Sequence, residues 1–177
     1  MTEDLEKLKY PIGKFQIPTH ADEQQLKNWI NTIADFPAML KYAVEHLSDE
    51  DLEKQYRPGG WTIRQVVHHC ADSHLISFMR FKLALTEDTP VVQAYDENMW
   101  AELPDAKHYS INSSLTLIDG LHDRWVQLLN GMSLEDYDKA FLHPVTQQRI
   151  PLKINLAIYA WHCEHHLAHI ANAKKGK

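Results

Sequence analysis

Tyr159-Ala160-Trp161-His162-Cys163-Glu164-His165-His166-Leu167-Ala168-His169-Ile170 is the stretch around which the chain is organised: four histidines in eight residues of a segment that otherwise reads as a buried helix. Residues four apart lie one above the other on a helix face. Two histidine pairs have that spacing, His162 with His166 and His165 with His169. Such a pair gives two imidazole nitrogens a common point to converge on, as transition-metal binding from a helix requires. With about 100° per residue, Leu156, Ala160, Cys163, Leu167 and Ile170 form one apolar stripe. His166 then falls roughly 80° from the stripe's centre and His162 about 120°, on the same flank, while His165 points almost opposite. The pair at the edge of a core is therefore His162/His166. Two ligands do not make a tight site, so a third is expected from elsewhere in the chain.

Working backwards, residues 141–152 read as a hairpin or loop and residues 133–139 as a short helix. Residues 113–130 form a helix with Leu115, Ile118, His122, Trp125 and Leu129 on one stripe, closed by Gly131. His122 on that seam suits a hydrogen-bonded core residue better than a ligand. Residues 86–109 have no clear period. A connection of that length in a compact domain is usually functional, and Tyr95, Asp96, Glu97 and Trp100 equip it to wall or cover a pocket. Upstream, Arg57-Pro58-Gly59-Gly60 breaks the chain before Trp61, and Thr62 with Gln65 forms a capping-box pattern that opens a helix to about Leu85. Ile63, Val67, Cys70, His74, Ser77 and Phe81 line its inward side. Periodicity puts His74 on the seam with His68 and His69 flanking it, and does not choose among them as the third ligand. A first long helix over residues 22–47 has Asp22 as N-cap, the stripe Leu26, Ile30, Ile33, Leu40, Val44, Leu47, and an expected kink at Pro37. Residues 1–20, with Pro11, Gly13 and Pro18, are expected to be an extended arm over the domain.

Four long helices with long connections predict an all-α fold, a four-helix bundle with at least one crossover and a small hairpin before the last helix. The 177 residues, 44% hydrophobic, suit one domain over 1–177 with a substantial core. A net charge of -6 without a basic block gives no electrostatic footprint for nucleic acid. There is no apolar run of membrane-spanning length and no signal-peptide pattern. The two cysteines, Cys70 and Cys163, are too few for a disulfide framework and point to a reducing cytoplasm, each as a small buried hydrophobe.

The run Tyr56-Arg57-Pro58-Gly59-Gly60-Trp61-Thr62-Ile63-Arg64-Gln65-Val66-Val67-His68-His69-Cys70-Ala71-Asp72-Ser73-His74 resembles the second-helix signature of the DinB superfamily. It is most similar to the YfiT-type metal-dependent hydrolases, a group that includes bacillithiol transferases. Arg80-Phe81-Lys82-Leu83, Thr86-Glu87-Asp88-Thr89-Pro90 and the C-terminal histidine run resemble the same group, and the likeness extends from Tyr10-Pro11-Ile12-Gly13 onward. The resemblance implies a bundle, often dimeric, with three histidines on one divalent ion, zinc or nickel. It places them at His69, eight residues after Trp61, and at His162 and His166. Three neutral imidazoles leave the ion its charge and an open position, where water or a thiol can be activated. The expected function is transfer of a low-molecular-weight, bacillithiol-like thiol to an electrophilic substrate. The alternatives are hydrolysis by metal-bound water and a non-catalytic metal-binding module, which a fourth protein ligand such as His74 or His122 would favour. Tyr95, Asp96, Trp100 and Arg80 are the candidate pocket residues, Arg80 as a partner for a cofactor carboxylate.

Overall fold

The structure is a computed structural model and describes residues 3–176. Its helices are α1 (Glu3–Lys9), α2 (Glu23–Val44), α3 (Asp49–Leu52), α4 (Ile63–Thr86), α5 (Glu97–Ala101), α6 (Pro104–His108), α7 (Asn112–Asn130) and α8 (Leu152–Lys174). A 3₁₀ turn (Asp136–Asp138) and strands β1 (Ala140–Leu142) and β2 (Arg149–Pro151) precede α8. The strands pair antiparallel, Phe141 opposite Ile150. The four long helices α2, α4, α7 and α8 make the expected bundle, and the hairpin stands where it was expected. Each long helix packs mainly on two others, α2 on α7 and α8, and α4 on the same two. Consecutive long helices α2 and α4 thus face each other across the bundle, as do α7 and α8. That arrangement requires the long connections.

Local chemistry sets the boundaries. Asp22 accepts from the Gln25 N–H at the start of α2, which runs unbroken through Pro37. Thr62 and Gln65 cap α4 reciprocally, satisfying backbone donors that have no helical partner. The turn before α4 needs its glycines. Gly59 has a φ of 66°, and a Cβ on Gly60 would lie 2.7 Å from Arg57 Cγ and 3.1 Å from the Tyr56 ring. The seams read from periodicity are buried: Leu26, Ile30, Ile33, Leu40 and Val44 on α2, Ile63, Val67, Cys70, His74, Ser77 and Phe81 on α4. On α7, Ile118, His122, Trp125 and Leu129 are buried and Leu115 partly so.

Two expectations need correction. The N-terminal arm is not extended throughout, because Glu3–Lys9 is helical. Pro11 and Gly13 break the chain only downstream of Glu-Asp-Leu-Glu-Lys-Leu-Lys, a run of mostly good helix formers. Residues 86–109 are not a plain connection either, since they contain α5 and α6. Helices of five residues complete barely more than one turn, too little for a period to show.

Candidate metal centre

The second turn of α4 brings His69 against two successive turns of α8, where His162 and His166 lie one above the other. His69 Nε2 and His166 Nε2 each lie 3.1 Å from His162 Nε2, and the three ligand atoms all fall within 4.8 Å of one another. Two nitrogens bonded to one ion at about 2.1 Å are separated by roughly 3.0–3.4 Å, depending on the angle between the bonds. The donor set therefore fits one divalent transition-metal ion, which these three residues could hold. No fourth side chain joins the group among the described residues.

Burial keeps these imidazoles neutral. It pushes His69 down to about 4 and holds His162 and His166 well below the usual histidine range, with the neighbouring histidines adding to the effect. Neutral imidazole is the form that offers a lone pair to a metal.

The other histidines of the two helices have separate tasks. His68 turns away from the cluster, its Nδ1 2.8 Å from Ser114 Oγ and its Nε2 3.3 Å from the Tyr109 carbonyl. His74 lies behind His162, with His74 Nε2 3.0 Å from His162 Nδ1. His122 is the hydrogen-bonded core residue expected, linked to His74 Nδ1 at 2.7 Å and to the Ile33 carbonyl at 2.7 Å. His169 Nδ1 is 3.4 Å from His166 Nδ1, and its Nε2 is 3.1 Å from the Lys9 carbonyl. Tyr56, set by the glycine turn, stacks on His169 with centroids 3.8 Å apart. His165, which helix geometry pointed outward, is buried instead, stacked on Trp161 and facing Tyr10 of the arm.

The cluster lines a cleft of about 380 Å³, shared with Lys9, Tyr10, Arg57, Trp61, Glu97 and Asn98. Residues 86–109 do return to the histidines, through Glu97 of the four side chains named for this segment and through Asn98, which was not. Asp96 accepts from the Asn98 and Met99 N–H groups as the N-cap of α5. Trp100, 40% exposed, packs on Tyr95 at 4.5 Å. Burial raises the Tyr95 hydroxyl, which has no well-formed hydrogen bond. Arg80 reaches the Gln93 carbonyl at 3.4 Å and lies over the Phe141 ring. None of these four lines the cleft. Glu97 and Asn98 do, because the Asp96 cap starts a helix whose first turn faces it. Burial raises the Glu97 carboxyl, and the Arg80 charge opposes the shift only in part. Gln65 fixes the segment by donating to the Ala101 carbonyl at 2.7 Å, and Val92 pairs with Leu142. The signal that could have set Glu97 apart from its neighbours and added Asn98 was the Asp-Glu-Asn sequence itself, an N-cap followed by a first turn.

Comparison with known proteins decides the family. A sequence model of the DinB superfamily matches residues 32–170. The chain belongs to the DinB superfamily. "Putative metal-dependent hydrolase YfiT" of Bacillus subtilis is 45% identical over 168 residues, covering 95% of this chain and 94% of the relative. A "putative metal-dependent hydrolase" of Bacillus licheniformis is 45% identical over 171 residues, 97% of each chain. A solved structure of Bacillus subtilis YfiT, described as "a probable metal-dependent hydrolase with an unusual four-helix bundle topology", matches with TM-score 0.93 and 44% identity over 96% of this chain and 97% of that one. This DinB superfamily bundle, with its three-histidine cluster, fits a metal-dependent enzyme. No helix among the described residues is long and apolar enough to cross a membrane.

Proposed function

We propose that His69, His162 and His166 hold one divalent ion, zinc or nickel, and that the chain uses it to transfer a low-molecular-weight thiol to an electrophilic substrate. The observation that carries this reading is the convergence of three Nε2 atoms, with no fourth protein ligand among the described residues, in the lining of an open cleft. An ion on neutral imidazoles supplies Lewis acidity, which makes a small thiol or water nucleophilic near neutral pH.

The rest falls to the chain's own groups. Lys9 and Arg57 line the cleft with positive charge suited to the carboxylates of a small thiol. Glu97, with its raised carboxyl, is placed on the same cleft to take the proton that the nucleophile loses. Trp61 packs on His69 at 4.7 Å and limits water on that side. Cys70 and Cys163 take no part, since both are fully buried and burial raises both thiols. No thiol of the chain can serve, so the thiol enters with the substrates. A cytoplasmic homodimer completes the proposal.

Hydrolysis is the second reading, favoured by the names its relatives carry. The test is the zinc- or nickel-loaded protein with a panel of small thiols and a chromogenic electrophile, run beside ester and amide substrates without thiol. Product that depends on both thiol and metal supports transfer. Thiol-independent cleavage moves the assignment to hydrolysis, and no metal-dependent turnover leaves a binding module.

A further inference from the structure

Three buried histidines that the metal reading does not use, His74, His122 and His169, form two connected rows behind the cluster. One runs from His162 Nδ1 to His74, His122 and the Ile33 carbonyl, over separations of 3.0, 2.7 and 2.7 Å. The other runs from His166 Nδ1 to His169 and the Lys9 carbonyl, at 3.4 and 3.1 Å. A carbonyl only accepts, so each row has a fixed polarity.

Counting protons then leaves one arrangement. In the first row the Ile33 carbonyl takes its hydrogen from His122 Nδ1, which makes His122 Nε2 an acceptor. His74 must donate from Nδ1 and accept at Nε2, so His162 must donate from Nδ1. Three links use the three protons of three neutral rings, and none is left for His162 Nε2. The second row has two rings and two links. His169 donates to Lys9 from Nε2 and accepts at Nδ1, so His166 carries its proton on Nδ1 and none on Nε2.

The geometry points to His74, His122 and His169 as positioning residues: they fix the tautomers of His162 and His166 so that both Nε2 lone pairs face the cleft before any ion arrives. This rests on the reading of His69, His162 and His166 as ligands and adds the device that readies two of them. Metal-bound histidines generally donate their second nitrogen to a carboxylate, carbonyl or water, which fixes ring and tautomer. Here intervening imidazoles carry that function from main-chain carbonyls on α2 and at the end of α1. Reversing one link would put a hydrogen on the nitrogen that must bind the ion.

Two-bond ¹H–¹⁵N spectra of histidine-labelled protein test this directly. In the zinc-loaded protein His74 and His122 should carry Nδ1–H, and His169 Nε2–H. In the metal-free protein His162 and His166 should also carry Nδ1–H. An Nε2–H at His162 or His166, or reversed tautomers at His74 or His169, overturns the proposal. Zinc affinity, measured by competition with a chromophoric chelator, gives a second readout. His122→Leu removes the acceptor that orients His74 and should weaken zinc about 10- to 100-fold. His122→Gln keeps an acceptor for His74 and a donor for Ile33 and should recover most of that loss. Equal affinities in the two variants overturn the proposal, and if His122→Leu does not fold, the wild-type spectra decide. Failure of the wild-type protein to bind zinc would instead remove the metal reading, while the metal-free spectrum would still report the rows.

Discussion

Helices α4 and α8 and the connection between α4 and α7 all reach the same cleft, but they hold their side chains there differently. His69, His162 and His166 project from long helices whose neighbouring turns are buried in the core. Their spacing is a consequence of helix geometry and bundle packing. Glu97 and Asn98 stand on a five-residue helix held by the Asp96 cap, the Gln65–Ala101 hydrogen bond and the pairing of Val92 with Leu142. The first region holds its nitrogens on long helices packed into the core. The second rests on one helix cap and a few single hydrogen bonds to other elements, the kind of element that opens at low free-energy cost.

The sharpest way to break that contrast is at the three clustered histidines. Alanine in place of His69, His162 or His166 should remove nearly all bound metal, measured by elemental analysis after gel filtration, whereas His68→Ala should retain it. Full metal content in the His162→Ala protein would end the assignment.

The next effect is on stability against acid. His69, His122 and His169 are neutral in the fold, each pushed down to about 4 chiefly by burial, while an unfolded histidine titrates near ~6.5. Between those values the unfolded chain binds more protons, so stability falls as pH falls, by about 1.4 kcal/mol per pH unit for each fully shifted group. These three groups alone should cost the metal-free protein about 3 kcal/mol in urea unfolding between pH 6.5 and 5.5, and the lowered His74, His162, His165 and His166 add to that loss. Stability that is flat down to pH 5 would show that these rings are solvated. Metal occupancy should fall over the same range, because protons compete for the same nitrogens.

Metal itself comes third. An ion at about 100 times its dissociation constant should stabilise the fold by about 2.7 kcal/mol. For a domain of this size that raises Tm by about 5–10 °C, and EDTA should reverse it. A Tm indifferent to both zinc and nickel would mean that the cluster does not bind them.

The smallest effect belongs to the connection. Asp96→Ala removes the cap of α5 and should cost about 1 kcal/mol of local stability. Turnover should drop with metal content unchanged, and hydrogen exchange should quicken over residues 96–101 before the rest of the chain responds. Lost metal in this variant would show that the two regions are not separable.

How far the sequence could be read follows the same division. The His162/His166 pair, the α4 capping box and the inward faces of α2, α4 and α7 were legible because each repeats with the helix. The third member of the cluster was not, since His68, His69 and His74 share one helix and only α8 packing against α4 separates them. Resemblance placed it at His69. The connection defeated periodicity because α5 and α6 are each five residues long, so Tyr95, Asp96 and Trp100 were chosen by chemical type rather than direction. The links of His74 to His122 and of His169 to Lys9 join distant parts of the chain, and no local pattern announces them.

The hydrogen bond from His169 to the Lys9 carbonyl has a practical consequence. It connects the cluster to the first turns of the chain, so the arm and the ion should influence one another reciprocally. An ion in place should shield residues 3–10 from proteases, and anything that peels the arm away should loosen the ion. A purification tag fused ahead of Met1 would act on this joint, and a polyhistidine tag would compete there for the same metal. Fusions for measuring affinity belong at the other end of the chain.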